Sequence, residues 1–492
     1  MEKRLRIEMP EAAEEIIARL KRRGYEAFAV GGCVRDSIMG RKPEDWDITT
    51  SALPRQVKEV FRRTIDTGIQ HGTVTVMKGG VGYEVTTYRI DGEYRDGRHP
   101  SSVSFTENLK EDLRRRDFTI NAMAYSHETG LVDEFGGLED MAARRIRCVG
   151  DPMERFTEDA LRILRAIRFS AQLDFVIEEK TLEAISLIAP NLAKVSRERV
   201  QTELTKLLLS PHPEKIRQVY ETGISPYVSP AFHRLCVDDS GQLSQGEPHD
   251  LGLDESRWLR PDEPHDLGLD ESRWLRPGES HHLRLDGIRI NGRLPKKKHV
   301  RWAVFLKDAS AAEAVEVLRD LKLDNDTINR VRTLNPWINC PVESVETKLR
   351  QVMSLMEPEL FDDLLDIWEV LEADEAREDG TRENVVCGAA GDLRGETQDS
   401  GSKNGETQIK GRGISAERRE AVRRIRQRGD CVSLKELAVS GRDLMAAGMK
   451  PGKAVGETLQ YLLSQVLEKP GKNKKDVLLA LAAEREKNCN GI

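Results

Sequence analysis

Two acidic residues, Asp45 and Asp47, stand on either side of a tryptophan and could act together. In a strand, residues two apart point to the same face, so the two carboxylates would project side by side. Adjacent carboxylates repel each other unless a cation lies between them. Mg²⁺ suits that position because it prefers oxygen ligands and is usually held by one or two carboxylates together with substrate phosphates. Taken alone, such a pair is more often part of a solvated loop.

A pair of glycines precedes the two acids. Gly31 and Gly32 follow an apolar run, residues 27–30, that predicts a strand, and Arg35 comes shortly after them. Glycines carry no Cβ, so backbone N–H groups can approach an anion there, and Arg35 adds a cation. A lone glycine pair is usually only a turn. The whole succession of strand, glycine pair, arginine, short spacer and acid pair is more specific than either part.

The alternation of apolar and polar residues indicates the elements that position these side chains. It predicts helices over residues 10–24 and 54–62 and strands over residues 71–77 and 83–89. Gly79 and Gly80 predict a hairpin turn between the two strands. Glu84 lies on the second strand, where it can face the acid pair, although a glutamate in such a run is often only on the solvated face.

In their order, the glycine pair, the Val-Arg-Asp after it and the Asp-x-Asp resemble the tRNA nucleotidyltransferases, the CCA-adding enzymes, and their relatives the bacterial poly(A) polymerases. The resemblance implies a head of polymerase-β type in which Asp45 and Asp47 are catalytic and hold Mg²⁺. It implies Glu84 as the third catalytic acid. It also implies that Gly32 and Arg35 bind the nucleotide.

Residues 113–122 carry three arginines before an aspartate, followed by Phe-Thr-Ile-Asn-Ala. An arginine triplet alone is more often a solvated face, but this block matches an Arg-Arg-Asp-Phe-Thr motif of the same family. The match implies that Arg116 contacts the triphosphate, with Asn121 in a supporting role. Residues 91–100, rich in turn formers and charge, predict an exposed, mobile loop. The resemblance equates it with a loop that CCA-adding enzymes need for the final A, here at full length.

A further segment begins at Thr157, which we predict to be the N-cap of an amphipathic helix. Its apolar stripe lies opposite a polar stripe formed by Asp159, Arg162, Arg165 and Arg168. An ordinary amphipathic helix with a solvated ionic face has the same pattern.

The chemistry of this stripe allows a sharper hypothesis. Asp159 accepts hydrogen bonds and Arg162 donates them. Cytosine and adenine both present an amine beside a ring-nitrogen acceptor, whereas uracil and guanine present a carbonyl where the amine would be. One Asp–Arg pair can therefore accept C and A while rejecting U and G. The Glu-Asp-x-x-Arg spacing matches the protein template for the incoming base in this family, which implies Arg165 and Arg168 as further nucleotide contacts.

Charge and composition limit the class of protein. The 492 residues have a net charge of −7, but residues 237–286 contribute −8 and residues 374–409 contribute −5, which leaves +6 for the remainder. A mildly basic remainder permits RNA binding. We expect no transmembrane helix, since no apolar run reaches roughly 18 residues, and no signal peptide. Seven cysteines without a CxxC pair indicate a reducing cytoplasm.

The second half of the chain contains two segments of low complexity. Residues 247–261 recur at 263–277, and this repeat predicts a disordered surface insertion at about 237–290. Residues 374–412 predict a disordered linker. Residues 410–428 hold 8 basic and 2 acidic residues, which favours a helix that contacts RNA. Residues 195–204 match another motif of the family, which we interpret as a buried structural junction.

We therefore expect an α+β multidomain protein: a nucleotidyltransferase α/β head over residues 1–150, followed by an all-α neck (151–213), body (214–373) and tail (413–492). The resemblance implies template-independent addition of CCA to the 3′ end of tRNA from CTP and ATP, with release of pyrophosphate. A CC-only or A-only enzyme would share the same residues. A poly(A) polymerase is disfavoured by the His-Gly-Thr-Val sequence from His71, and a non-enzymatic RNA-binding protein by the three acids.

Overall fold

A computed structural model describes residues 5–92, 103–236, 292–389 and 403–490. The chain divides into two compact units, the first comprising Met1–Leu243 and Arg319–Leu323 and the second Ser244–Leu318 and Asp324–Ile492. All of the predicted site residues belong to the first unit. The predicted surface insertion at 237–290 and most of the predicted loop at 91–100 lie outside the described residues.

All strands in the described part of the chain lie in the first unit. In chain order they are β1 (Ala27–Val30), β2 (Ile48–Thr50), β3 (Thr64–Gly68), β4 (Thr73–Lys78), β5 (Val81–Thr87), β6 (Arg89–Asp91), β7 (Val103–Phe105), β8 (Met123–Ser126), β9 (Gly130–Asp133), β10 (Arg145–Ile146) and β11 (Val176–Ile177). Seven of them form one sheet in the order β3-β4-β5-β2-β1-β8-β9, while β6 pairs with β7 and β10 with β11. Within the large sheet β2 and β5 are parallel, and the other neighbouring strands are antiparallel.

The helices up to residue 236 alternate with the strands as far as β9, and only the two-residue strands β10 and β11 lie among the later ones. They are α1 (Glu11–Arg22), α2 (Gly32–Ile38), α3 (Pro54–Val60), α4 (Leu109–Arg114), α5 (Gly137–Ala142), α6 (Pro152–Glu158), α7 (Leu161–Leu173), α8 (Glu179–Ile188), α9 (Arg197–Leu208), α10 (Gln218–Glu221), α11 (Ser225–Val228) and α12 (Pro230–Cys236). Helix α1 confirms the amphipathic pattern, because its apolar stripe of Ala13, Ile16, Ile17 and Leu20 is buried in the main core with Ile48, Val74 and Val85.

The hairpin between β4 and β5 also follows the prediction. Gly79 and Gly80 both have positive φ, 60° and 83°, and the strands on either side pair from Thr73↔Thr86 to Lys78↔Val81. Two consecutive residues of positive φ are the geometry of a tight hairpin turn, which favours glycine. This turn sets the register that places Glu84 in the sheet.

After residue 292 the described chain is helical, as expected for a body and a tail. The helices are α13 (Lys298–Phe305), α14 (Ala311–Asp320), α15 (Asn325–Ile338), α16 (Glu346–Met353), α17 (Pro358–Ala389), α18 (Lys403–Arg428), α19 (Gly441–Ala446), α20 (Lys453–Glu468) and α21 (Lys475–Asn490). None of the described helices combines the length and the apolar composition that crossing a membrane requires.

The predicted disordered linker at 374–412 is wrong over most of its length. Residues 374–389 belong to α17 and residues 403–412 to α18. Seven of the 16 residues at 374–389 are Glu, Ala or Arg, which favour helix. The glycines and charges that suggested a linker are therefore compatible with long helices.

Most of the arginines of α18 pair with carboxylates in the same unit. Arg419 contacts Asp366 at 2.7 Å, and Arg426 contacts Asp362 at 2.8 Å. Arg428 is paired with Glu346, which also accepts from Arg424 at 3.1 Å. The helix thus offers less free positive charge to RNA than its composition alone suggests.

Candidate active site

The two acids of the Asp-x-Asp pair lie immediately before β2 rather than within it. The ladder extends back only to Asp47, whose carbonyl accepts from the backbone N–H of Val30 at 3.0 Å. Pairing stops there because the partner strand β1 ends at Val30 and the chain turns into α2. Trp46, between the two acids, is buried in the main core. Alternation about Trp46 leaves both carboxylates on the opposite side, with Asp45 exposed and Asp47 half-buried.

Glu84 lies beside this pair. Strands β2 and β5 are parallel neighbours, with Ile48 aligned with Val85. Glu84 directly precedes Val85 just as Asp47 directly precedes Ile48, so the two acids occupy equivalent places on adjacent strands. Val85 is buried in the core whereas Glu84 is exposed, so Glu84 is on the same side as the acid pair. The structure brings together all three acids that the sequence indicated.

The carboxylates of the three acids repel one another. Burial and the nearby charge of Asp45 raise the pKa of Asp47 to about 6, Arg116 opposes this shift, and Glu84 adds to it. A bound cation would relieve this repulsion, so the donor set fits a divalent metal ion. Within the described ranges no group of three His, Cys, Asp or Glu residues meets the geometry of a complete metal site. Two carboxylates with substrate phosphates is the usual arrangement for Mg²⁺.

Arg116 lies directly over the glycine turn. Gly31 has a φ of 81°, and a Cβ added there would lie 3.0 Å from Nη1 of Arg116. Both the backbone conformation and this close approach require glycine. Burial lowers the pKa of Arg116, while Asp112 and Asp47 favour its charged form. Its Nε is buried without a hydrogen-bond partner. A guanidinium between the glycine turn and the carboxylates is well placed to receive an anion.

The sequence suggested that Arg35 is a cation available to an anion, but the structure places its guanidinium elsewhere. Its side chain is buried, and its guanidinium donates to Asn121 at 2.6 Å and to both oxygens of Asp36 at 2.9 Å. Gly32 is the first residue of α2, just beyond the turn at Gly31. The structure therefore places Arg35 behind the glycine turn, where it positions Asn121. A direct contact from Arg35 to a nucleotide remains a prediction.

Sequence reasoning missed Asp117, which connects this turn to helix α7. Its carboxylate accepts from Arg165 and from the side-chain amide of Asn121. Burial acts to raise the pKa of Asp117, but the charge and hydrogen bonds of Arg165 and the bond from Asn121 outweigh it and hold that pKa below its ordinary value. The one feature of the sequence that could have indicated its role is its position as a single acid directly after three arginines.

The helix predicted to start at Thr157 is interrupted, so this prediction is wrong. Thr157 belongs to α6, Asp159 follows that helix with extended φ and ψ of −145° and 102°, and α7 begins at Leu161. At this break the side chain of Asp159 accepts from the backbone N–H of Leu161, the first residue of α7, at 3.1 Å. The three arginines of the polar stripe, Arg162, Arg165 and Arg168, all lie in α7 beyond the break.

The polar stripe makes specific contacts. Arg162 donates to Glu158 at 2.7 Å and to the carbonyl of Arg115 at 3.1 Å. Asp159 accepts from Arg199, in the first turn of α9, at 2.7 Å. Sequence reasoning missed Arg199, because the ion pair joins residues from different helices. The predicted pair Asp159 and Arg162 does lie at one helix start, where both side chains are partly exposed.

The last arginine of the stripe lies deeper. Arg168 is buried and bonded to Glu203 of α9 at 2.5 Å and to Gln172 at 2.7 Å. Its guanidinium also lies 3.9 Å from the centre of the Phe169 ring. Glu203 belongs to the motif interpreted as a buried junction, and this contact agrees with that interpretation. Contact between Arg168 and a nucleotide stays a prediction.

Three family profiles match the chain. The Poly A polymerase head domain covers residues 27–147, a probable RNA and SrmB-binding site of polymerase A covers residues 174–236, and a tRNA nucleotidyltransferase domain 2 covers residues 406–482. The first contains the glycine turn, the three acids and Arg116. These three segments resemble domains of the tRNA nucleotidyltransferase and poly(A) polymerase family. The observed α/β head followed by helices is the fold that this likeness implies.

Curated relatives in this family are named CCA-adding enzymes. The relative from Levilactobacillus brevis is 46% identical over 244 residues, which are 49% of this chain and 62% of that protein. The relative from Leuconostoc mesenteroides is 54% identical over 197 residues, 40% of this chain and 49% of that protein. The matched part is therefore less than two thirds of the length of either relative.

Solved structures of the family extend the likeness over more of the chain. The crystal structure of the Bacillus stearothermophilus CCA-adding enzyme in complex with CTP is 27% identical, with a TM-score of 0.66, and the match covers 98% of this chain and 100% of that one. The Thermotoga maritima CCA-adding enzyme complexed with tRNA is 20% identical with a TM-score of 0.53, over 96% of this chain and 94% of that one. The second likeness concerns the fold alone.

Proposed function

We propose that this protein adds CCA to the 3′ end of tRNA without a nucleic-acid template, using CTP and ATP and releasing pyrophosphate. The observation that carries the proposal is the position of Asp47 among Asp45, Glu84 and Arg116, beside the glycine turn. Such a site combines cation-binding carboxylates with an anion-binding turn, as transfer of a nucleotide from a triphosphate requires. The curated relatives named CCA-adding enzymes support the same substrate class.

In this proposal the 3′-hydroxyl of the tRNA attacks the α-phosphate of the bound nucleotide. Asp45 and Asp47 would hold Mg²⁺, and bound Mg²⁺ supplies stabilisation of the charge on the attacking and leaving oxygens. Glu84, on the adjacent strand, orients the 3′-hydroxyl. Arg116 and the turn at Gly31 and Gly32 receive the triphosphate, since the Arg116 guanidinium lies against the glycine turn.

Base choice would lie with Asp159 and Arg162. Asp159 accepts from the amine of cytosine or adenine, and Arg162 donates to the adjacent ring nitrogen. Both side chains are only partly exposed, so a base that mismatches them leaves polar groups unpaired at a cost of about 1–3 kcal/mol each. This cost is the physical basis for rejecting U and G.

We infer the remaining organisation on the same grounds. The head (1–150) carries the chemistry, the neck (151–213) reads the base, and the body (214–373) and tail (413–492) bind tRNA. In the tail, exposed lysines offer charge for phosphate contacts more readily than the paired arginines of α18; they include Lys450, Lys453, Lys469 and Lys474. The scattered cysteines favour a cytoplasmic enzyme.

The test is an extension assay with purified protein and three tRNAs, ending before the first C, after CC, and after CCA. Each is supplied with CTP or ATP separately in Mg²⁺. The proposal predicts C addition to the first, a single A on the second, and none on the third. Addition that stops at CC would identify the protein as a CC-only enzyme, and addition of A alone would identify it as an A-only enzyme. A growing A tail would assign a poly(A) polymerase.

A further inference from the structure

Both carboxylate oxygens of Asp159 are already held by this chain. The backbone N–H of Leu161 donates to Oδ1 at 3.1 Å, and Nη2 of Arg199 donates to Oδ2 at 2.7 Å. Asp159 lies in the extended break between α6 and α7, so no regular helix fixes its side chain. Its direction is therefore set by these two contacts, of which only the one from Arg199 comes from another helix.

Arg199 is well placed to serve this purpose. It lies in the first turn of α9 and four residues before Glu203, so both side chains are on the helix face towards α7. Glu203 binds Arg168 at 2.5 Å on that face, which fixes α9 against α7. Among the described residues Asp159 is the ion-pair partner of Arg199. The two side chains are 22% and 16% exposed, so a ligand can still reach the carboxylate.

The remaining lone pairs of Asp159 are what a base amine needs. An ionised carboxylate has about four acceptor positions, and the two contacts occupy two of them. Without Arg199 the carboxylate could turn towards Arg165, whose charge already interacts with it. A charged hydrogen bond from a planar guanidinium is directional, so it selects one orientation.

We propose that Arg199 is a positioning residue for base selection, which holds Asp159 so that its free acceptor positions face the amine of an incoming C or A. The inference rests on the proposed function, because it assigns Arg199 a part in the discrimination already attributed to Asp159. It also gives the Glu-Arg-x-x-x-Glu spacing of residues 198–203 two roles: Glu203 holds α9 against α7, and Arg199 orients the Asp159 carboxylate.

The test compares single-turnover addition of CTP, ATP, UTP and GTP to one tRNA by the full-length protein and its variants. Arg199→Ala should slow addition of C and A and raise the ratio of UTP to CTP incorporation about tenfold, the equivalent of one charged hydrogen bond. Arg199→Lys retains a donor and should restore part of the selectivity.

A matched control separates positioning from packing. Arg197 lies in the same turn of α9 but donates to the carbonyls of Tyr227 and Val228. Arg197→Ala should lower the melting temperature while leaving the ratio of UTP to CTP unchanged. Because Arg199 acts through Asp159, the double variant Asp159→Ala with Arg199→Ala should have the same selectivity as Asp159→Ala alone.

The inference is overturned if Arg199→Ala slows all four nucleotides equally, or if its effect on selectivity adds to that of Asp159→Ala. Should Arg199→Ala fail to fold, Arg199→Lys decides: unchanged selectivity then overturns the inference. Failure of the proposed function has a different result, since the unmodified protein would add neither C nor A.

Discussion

Asp117 accepts two hydrogen bonds from the guanidinium of Arg165, at 2.8 and 2.5 Å, both to the same carboxylate oxygen. The other oxygen accepts from the side chain of Asn121 at 3.2 Å, and Asn121 in turn accepts from Arg35 at 2.6 Å. One continuous chain of hydrogen bonds, through the neutral amide of Asn121, thus joins the helix that carries the base-reading residues to the helix that follows the glycine turn.

This pair gives a prediction about pH and stability. The pKa of Asp117 is held below its ordinary value, so the ionised form stabilises the fold at neutral pH. That contribution is complete above the unfolded-state value of about 4 and is lost as the pH falls through the lower folded-state pKa. Asp117→Asn should lower the free energy of unfolding by about 3 kcal/mol at pH 7. In urea denaturation, the difference from the unmodified protein should become smaller below pH 4.

The control is Asp66→Asn, which removes an exposed pair with Lys58 at 2.9 Å. Exposed pairs contribute about 0–1 kcal/mol. The free energy of unfolding of this variant should therefore be close to that of the unmodified protein at every pH. If Asp117→Asn were equally destabilised at pH 7 and below pH 4, its cost would come from packing rather than from charge.

Arg168 and Glu203 form a pair in which both side chains are almost fully buried. Arg168→Ala should leave Glu203 buried and unpaired, which costs about 3–5 kcal/mol. Replacing both by leucine should recover most of that loss, as measured by denaturant unfolding. A different result, in which Arg168→Ala raises the KM for CTP without a change in stability, would assign Arg168 to nucleotide binding instead.

Asp159→Ala tests the base-reading hypothesis. It should lower incorporation of C and A together and narrow their advantage over U, because the acceptor for the shared amine is gone. The measurement is single-turnover addition of each of the four nucleotides to the same tRNA. Equal slowing of all four would mean that Asp159 is structural and that the base is selected elsewhere.

The repeat-containing segment offers a prediction from sequence alone. Deleting residues 247–278 should leave CCA addition intact, since the candidate site is built from residues between Gly31 and Glu203. The deletion variant and the unmodified protein are compared by extension of a tRNA substrate and by thermal unfolding. Loss of addition in a deletion variant that still melts cooperatively would assign a function to the repeat.

The sequence predicted the centre of the site better than its surroundings. The glycine turn, the hairpin at Gly79 and Gly80 and the acid pair follow from local rules: positive φ, and alternation of side chains about the buried Trp46. These rules concern neighbours in sequence, so they can be applied without knowing the fold. Family resemblance then supplied the residues that local patterns leave ambiguous, such as Glu84.

The predictions that failed depend on partners distant in sequence. The break before α7 is stabilised by the contact of Asp159 with Arg199, which is 40 residues away. The arginines of α18 are neutralised by carboxylates such as Glu346 and Asp362, and no periodicity within α18 reveals them. Arg35 has the charge that a phosphate contact needs, but Asp36 and Asn121 occupy its donors.

The most direct test of the account is removal of the acid nearest the centre of the site. Asp47→Ala should abolish addition of C and A to tRNA in Mg²⁺, because it removes a carboxylate that would hold the metal. Binding of tRNA, measured by filter retention or fluorescence anisotropy, should stay within a few-fold, since the proposed tRNA contacts lie in the body and tail. Near-normal addition by Asp47→Ala in Mg²⁺ would contradict the carboxylate mechanism.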